Sequence, residues 1–187
     1  NGGSQLALGS AANVVAISQI FINTNLAAAG GCVAAIILTQ LLYKKVDLTM
    51  ALNGAIGGLV SITAEPLAPV GGLAIVIGAI GGVLIVYAVP LLDKLKIDDV
   101  VGAIPAHLVC GIWGTLAVAL SADDMVKQAG IQLLGIVAVG AFVSGISAVI
   151  WFGLKATMGI RVTPEEEMQG LDKSELGLEA WPEFAVG

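Results

Sequence analysis

Residues 100–122 read VVGAIPAHLVCGIWGTLAVALSA, an apolar run free of Asp, Glu, Lys and Arg and interrupted by a single histidine, His107. About 20 apolar residues span the hydrocarbon core of a bilayer, so this stretch predicts a membrane helix. Working outward, the 8 basic and 14 acidic residues of the chain fall only within 44–47, at 65, and within 93–99, 123–127 and 155–187. The runs 1–43, 48–64, 66–92 and 128–154 are as free of charge as 100–122. Five membrane helices follow as the simplest count, at roughly 11–43, 49–65, 70–92, 100–121 and 126–158. The first run also admits two short spans broken near Asn23-Thr24-Asn25 or Gly30-Gly31, but each would be barely long enough, and one long helix is the preferred reading.

Composition agrees with an all-α polytopic membrane protein. Of 187 residues 57% are hydrophobic and 12% charged, where a soluble domain carries about 25% charge. A disordered chain would be poor in apolar residues, and a nucleic-acid binder would normally be basic, whereas the net charge here is -6.

Alternating the loops across the membrane collects Lys44, Lys45, Lys94, Lys96, Lys155, Arg161 and Lys173 on one side and leaves Lys127 on the other. Short loops rich in Lys and Arg face the cytoplasm. The start of the chain is therefore expected outside, and an acidic tail, 159–187, inside, beyond a membrane domain of 1–158. The chain opens without an initiator Met, a basic n-region or a cleavage site, and the expectation is the latter part of a longer protein in the plasma (inner) membrane.

Gly-Ala-Ile-Gly-Gly occurs at 54–58 and again at 78–82. Phosphate-binding glycine loops need a preceding strand and a following helix N-terminus, and neither context exists here. Small residues four apart let helix backbones approach in a membrane, so Gly54, Gly58, Gly78 and Gly82 are expected to be packing positions. Cys32 and Cys110 lie inside predicted helices and read as small packing residues, and no metal-ligand cluster, cofactor motif or catalytic constellation is present.

His107 is the only histidine. An ionisable group inside a membrane helix usually faces a cavity or the bundle interior and marks a transport path or proton relay, although a histidine that only hydrogen-bonds a neighbouring helix remains an open alternative. Ala103, Gly111 and Thr115 share its helical face, and this stripe of small residues leaves room for a partner helix or a lumen. Pro105 clashes with the carbonyl four residues back, predicting a kink near Val101. Asn13, Gln19, Asn23, Thr24, Asn25 and Asn53 read as interhelical hydrogen-bonding groups, and Asp98-Asp99 as the N-terminal cap of the fourth helix.

The segment Lys96-Ile97-Asp98-Asp99 followed by residues 105–118, PAHLVCGIWGTLAV, resembles the tenth helix of the ammonium transporter family (Amt/MEP/Rh). Asn1-Gly2-Gly3-Ser4 is similar to the outer end of that family's sixth helix. Asn53-Gly54-Ala55 through Ile62-Thr63 resemble its eighth helix, and Gly159-Ile160-Arg161-Val162, Glu165-Glu166-Glu167 and Gly170-Leu171-Asp172 its cytoplasmic tail. The pattern departs from the family at Val100, at His107-Leu108 and near Glu175-Leu176-Gly177.

The resemblance implies the ammonium-transporter fold, here the second inverted repeat from the end of helix 6 through helix 10, plus helix 11. It implies a homotrimer with a pore in each subunit, transport of ammonium or ammonia, and no enzymatic activity. Ser4 matches the serine of the outer ammonium vestibule, and His107 the second of two histidines lining a hydrophobic pore. Gly111 joins the packing glycines, and the tail becomes a candidate docking element for a PII-type regulatory protein. An ammonium sensor of the same fold is the alternative.

Overall fold

A computed structural model describes residues 1–180; residues 181–187 of the expected tail lie outside the described residues. All regular structure among the described residues is helical: α1 Ala11–Tyr43, α2 Leu48–Ile62, α3 Gly71–Lys94, α4 Ile104–Ser121, α5 Met125–Thr157, α6 Pro164–Gln169 and α7 Leu171–Leu176, preceded by a 3-10 turn at Gly2–Gln5. Contacts divide the chain into two compact units, the first Asn1–Ala138 and the second beginning at Val139, within α5. No described residue of α5 is buried.

Capping fixes where the helices of the first unit begin. The Ser10 hydroxyl accepts from the Asn13 amide at 3.2 Å and starts α1, and the Asp47 carboxylate accepts from the Met50 amide at 2.9 Å and starts α2. Such side chains satisfy amides that have no partner within the helix. α1 runs unbroken through residues 23–31 as one helix.

Directions follow from which residues meet. Gly78 of α3 lies against Ala27 of α1 and Gly82 against Gly31, so α1 and α3 run the same way. Gly58 of α2 meets Ala27 while Gly54 meets Ala35, so α2 runs against α1. Gly57 faces Cys110 and Gly114 faces Ser61, which sets α4 parallel to α2. The loops carrying Lys44, Lys45 and Lys96 thus share one end, and Glu65 sits at the other. Two clusters fill the core between these helices. Ala35, Met50, Ile85, Val86, Ala106 and Cys110 form one, and Ala27, Ile62, Ala74, Ile77 and Ala117 the other.

Four helices, α1, α3, α4 and α5, are long and apolar enough to cross a membrane. α2 is shorter than the expected 49–65: its 15 residues reach about 22 Å at 1.5 Å per residue, against a core of about 30 Å. It stops at Ile62 because the following segment is held by α1. The Asn23 side-chain amide donates to the carbonyls of Pro66 at 3.0 Å and Pro69 at 2.7 Å, and Gln19 donates to the Asn23 side-chain oxygen at 3.0 Å.

The fourth helix also starts later than residue 100, and there is no kinked helix at Val101. Residues 100–102 form a turn, with Gly102 at φ 74. Pro105 has no N–H with which to bond the Val101 carbonyl, and the Asn53 side-chain amide takes that carbonyl instead, at 2.9 Å. Pro105 then falls in the first turn of α4, where a missing donor costs little. Asp99 caps this start, accepting from the amides of Ala103 and Ile104 at 2.8 Å each.

Candidate functional site

α4 does not begin as an ordinary α-helix. Ile104–Val109 is a π-helical turn, in which the Cys110 amide reaches back to the Pro105 carbonyl, before α-helical geometry resumes at Cys110. π-turns of this kind occur frequently at functional sites, and His107 lies within this one. It sits four residues beyond Ala103, about 6 Å along an ideal helix, shallower than a helix starting at residue 100 would place it.

One face of α4 is packed. Ala106, Cys110, Gly114 and Ala117 are buried, the Cys110 thiol contacts the Gly81 carbonyl at 3.6 Å, and the Trp113 indole donates to the Ile77 carbonyl at 3.0 Å. These two bonds tie α4 to α3. Cys32, by contrast, is half-buried, and both cysteines are free thiols.

The neighbouring face is open. Ala103 and His107 are exposed, Gly111 and Thr115 half-buried, and the Thr115 hydroxyl is spent on the Gly111 carbonyl of its own helix at 2.8 Å. Leu108 and Ile112 flank the stripe, also exposed. The His107 imidazole makes no hydrogen bond to any described residue. A neutral imidazole offers one donor and one acceptor, so this face presents both hydrogen-bonding functions within an otherwise apolar strip.

The glycines divide in the same way. A methyl group on Gly58 or Gly78 would run into the Ala27 carbonyl, one on Gly82 into that of Gly31, and one on Gly54 would lie 2.6 Å from the Ala35 Cβ. All four pack on a stripe of α1 made of Ala27, Gly31 and Ala35. At Gly111 the nearest neighbour of such a methyl is Val60 at 3.9 Å, an ordinary contact. Reading the repeated pattern in α2 and α3 does not reveal its shared partner in α1, nor the close approaches at Gly57, Gly81 and Gly114; the spacing of Ala27, Gly31 and Ala35 is the signal that could have found the stripe.

Ser4 is exposed in the turn Gly2–Gln5. Asn1 donates to Thr24 at 3.0 Å, Gln5 donates to Asn13 at 3.4 Å, and Gly2 abuts the Phe21 ring, so the turn is fastened to α1. No contact joins it to the π-turn of His107. Asn13 and Thr24 therefore serve this turn, and Asn25 bonds only within its helix, to the Phe21 carbonyl at 2.8 Å.

In the second unit Thr163 and Glu166 close a capping box at the start of α6. Two hydrogen bonds from Thr163, first its amide and then its hydroxyl, hold the Glu166 carboxyl below its ordinary value. The amides of Ala180 and Lys173 do the same for Asp172. Arg161 pairs with Glu167 at 2.9 Å, and Lys173 pairs with Glu179. Among the described residues no three His, Cys, Asp or Glu side chains converge as metal ligands.

Residues 1–181 match the Ammonium Transporter Family. Ammonium transporter Amt2 of Archaeoglobus fulgidus is 38% identical over 98% of this chain and 42% of its own length. A putative ammonium transporter of Synechocystis is 39% identical over 95% and 40%. The chain thus spans about two fifths of the length of these relatives. Among solved structures, a sensor Amt protein superposes with a TM-score of 0.86 at 36% identity, covering 94% of this chain and 44% of that one. Mep2 of Candida albicans gives 0.74 at 27%, covering 81% and 38%. The resemblance drawn from the residues around His107 is borne out in family and in fold: this multi-pass membrane chain belongs to the ammonium transporter family.

Proposed function

We propose that the protein to which this chain belongs moves ammonium or ammonia across the plasma membrane. In this reading Ser4 binds ammonium in an outer vestibule, the ion leaves a proton behind, and ammonia passes a hydrophobic pore lined by His107. The observation that carries the proposal is the face of α4 left uncovered by the described residues, where the one basic or acidic side chain of that helix stands in an apolar strip with no hydrogen bond to any of them. A potassium ion has no proton to lose and meets only this uncharged strip, which is the basis of discrimination.

Residues 1–158 then form part of the membrane domain and 159–187 a cytoplasmic tail, on the side favoured by seven of the eight basic residues. A homotrimer is the proposed assembly, with the tail as the docking element for a PII-type protein. Uptake of labelled methylammonium by transporter-deficient cells expressing the full-length protein tests the reading, and background uptake would refute it.

The superposition on a sensor Amt protein favours a second reading, in which the same fold reports ammonium rather than carrying it. That reading expects ammonium binding without useful uptake in the same cells.

A further inference from the structure

At the end of the first unit opposite the lysine loops, Ser61, Ile62, Glu65, Pro69, Ile77 and Gly114 help to line a cavity of about 10 Å³. That is close to the least space that holds one water molecule. The Glu65 Oε2 atom is sealed from solvent here and has no hydrogen-bond partner among the described residues. A buried carboxylate oxygen without a donor is costly and rare in native proteins.

The lining supplies acceptors and no unspent side-chain donor. Ser61 carries the only donor side chain among the residues that line it, and its hydroxyl is spent on the Gly57 carbonyl at 2.6 Å and on the Cys110 thiol. The Trp113 indole, which reaches the adjacent Ile77 carbonyl, is spent there at 3.0 Å. Pro69 has no N–H, and its carbonyl already accepts from Asn23 at 2.7 Å. The last turn of α2 adds the partial negative charge of a helix C-terminus.

We propose that this cavity binds one water-sized molecule with several hydrogens to donate, a water molecule or an ammonium ion, held at Glu65 Oε2. Space, an orphaned acceptor and the lack of a donor among the described residues all point to the same ligand chemistry. The ammonium source rests on the function proposed above; the site itself does not. The turn bearing Ser4 is fastened to Thr24 of α1 and the Glu65 segment to Asn23, so both sit at the same end of the helices, where an incoming cation would arrive.

The test is a structure of the full-length protein at a resolution that shows waters, solved once in ammonium-free sodium buffer and once with thallium(I), a heavy stand-in for ammonium. Density for one molecule beside Glu65 without an anomalous signal identifies water. An anomalous peak there that ammonium chloride displaces, and that Glu65→Gln abolishes, identifies the cation. A cavity dry under both conditions overturns the proposal, as does an anomalous peak of unchanged height in Glu65→Gln. Because occupancy is read and not uptake, this result stands or falls independently of the transport reading.

Discussion

Two faces built from the same small residues do opposite things in this molecule. Where α2 and α3 lie on α1, glycine is consumed by packing: Ala27, Gly31 and Ala35 receive Gly54, Gly58, Gly78 and Gly82 so closely that backbone touches backbone. Along Ala103, His107, Gly111 and Thr115 of α4, no described residue fills the space that the small side chains leave, and the one imidazole of the chain stands beside it. A lipid environment gives helices no hydrophobic reason to associate, so the first face secures the fold by close contact and dispersion. The second is left uncovered by the described residues, and it is the face assigned to transport in the proposal above. Glycine spacing alone therefore does not separate structure from function; what occupies the space beside the glycine does.

The same substitution at the two faces exposes the difference most sharply. Gly78→Ala drives a methyl into the Ala27 backbone, and because neither side can yield without moving a helix, a loss of about 3 kcal/mol or more is expected. Thermal unfolding of the purified full-length protein reads it as a large drop in melting temperature or as failure to accumulate. A variant as stable as the parent would break the comparison.

Asn53→Ala comes next. It removes the donor that holds the Val101 carbonyl where Pro105 cannot, and leaving that carbonyl unpaired costs about 1–3 kcal/mol. Hydrogen exchange in the first turn of α4 should rise with the loss. Unaltered exchange there would mean that the π-turn does not depend on Asn53.

Gly111→Ala should move the other way. With its nearest neighbour at 3.9 Å, the added methyl fits, and replacing glycine within a helix favours stability by about 0.5–1 kcal/mol. A small rise in melting temperature together with slower uptake would mark this face as one that is open for function; a large loss of stability would make it a packing face like the other.

The smallest effect lies in the tail. The Glu166 carboxyl is held below its usual 4.5 by Thr163, so the stabilisation it gives to α6 is complete above that value and is lost as pH falls through the lowered one. The protection of the α6 amides relative to an unstructured peptide at the same pH, followed from pH 6 downward, should fall below about 4.5, and Thr163→Ala should abolish the transition. Protection that does not change with pH in the parent would contradict the capping account.

Much of this arrangement was legible in the sequence, because the rarity of charge in a membrane chain makes each charged residue a marker of a helix end. The clusters at 44–47, 93–99 and 123–127 bound α1, α3 and α4, and the alternation they impose agrees with the helix directions that the glycine contacts give. What stayed hidden depends on partners far along the chain. Asn53 meets Val101 and Asn23 meets Pro69, 48 and 46 residues apart, and these bonds decide where α4 begins and how the chain leaves α2. Gly30-Gly31 is ambiguous locally, since a break and a close approach both call for glycine, and only the presence of α2 and α3 resolves it. His107 was found by its solitude, and the exposure of its face could not be read from the string. Glu65 was visible as a lone charge, but its sealed oxygen was not.

The central claim is that His107 belongs to transport and not to packing. It is tested most directly by His107→Ala in the full-length protein, with melting temperature and ammonium uptake measured on the same preparation, and potassium as competitor. The account predicts a melting temperature close to the parent's, with uptake, or its discrimination against potassium, lost. Uptake and selectivity that both survive, or a protein that no longer folds, would contradict it.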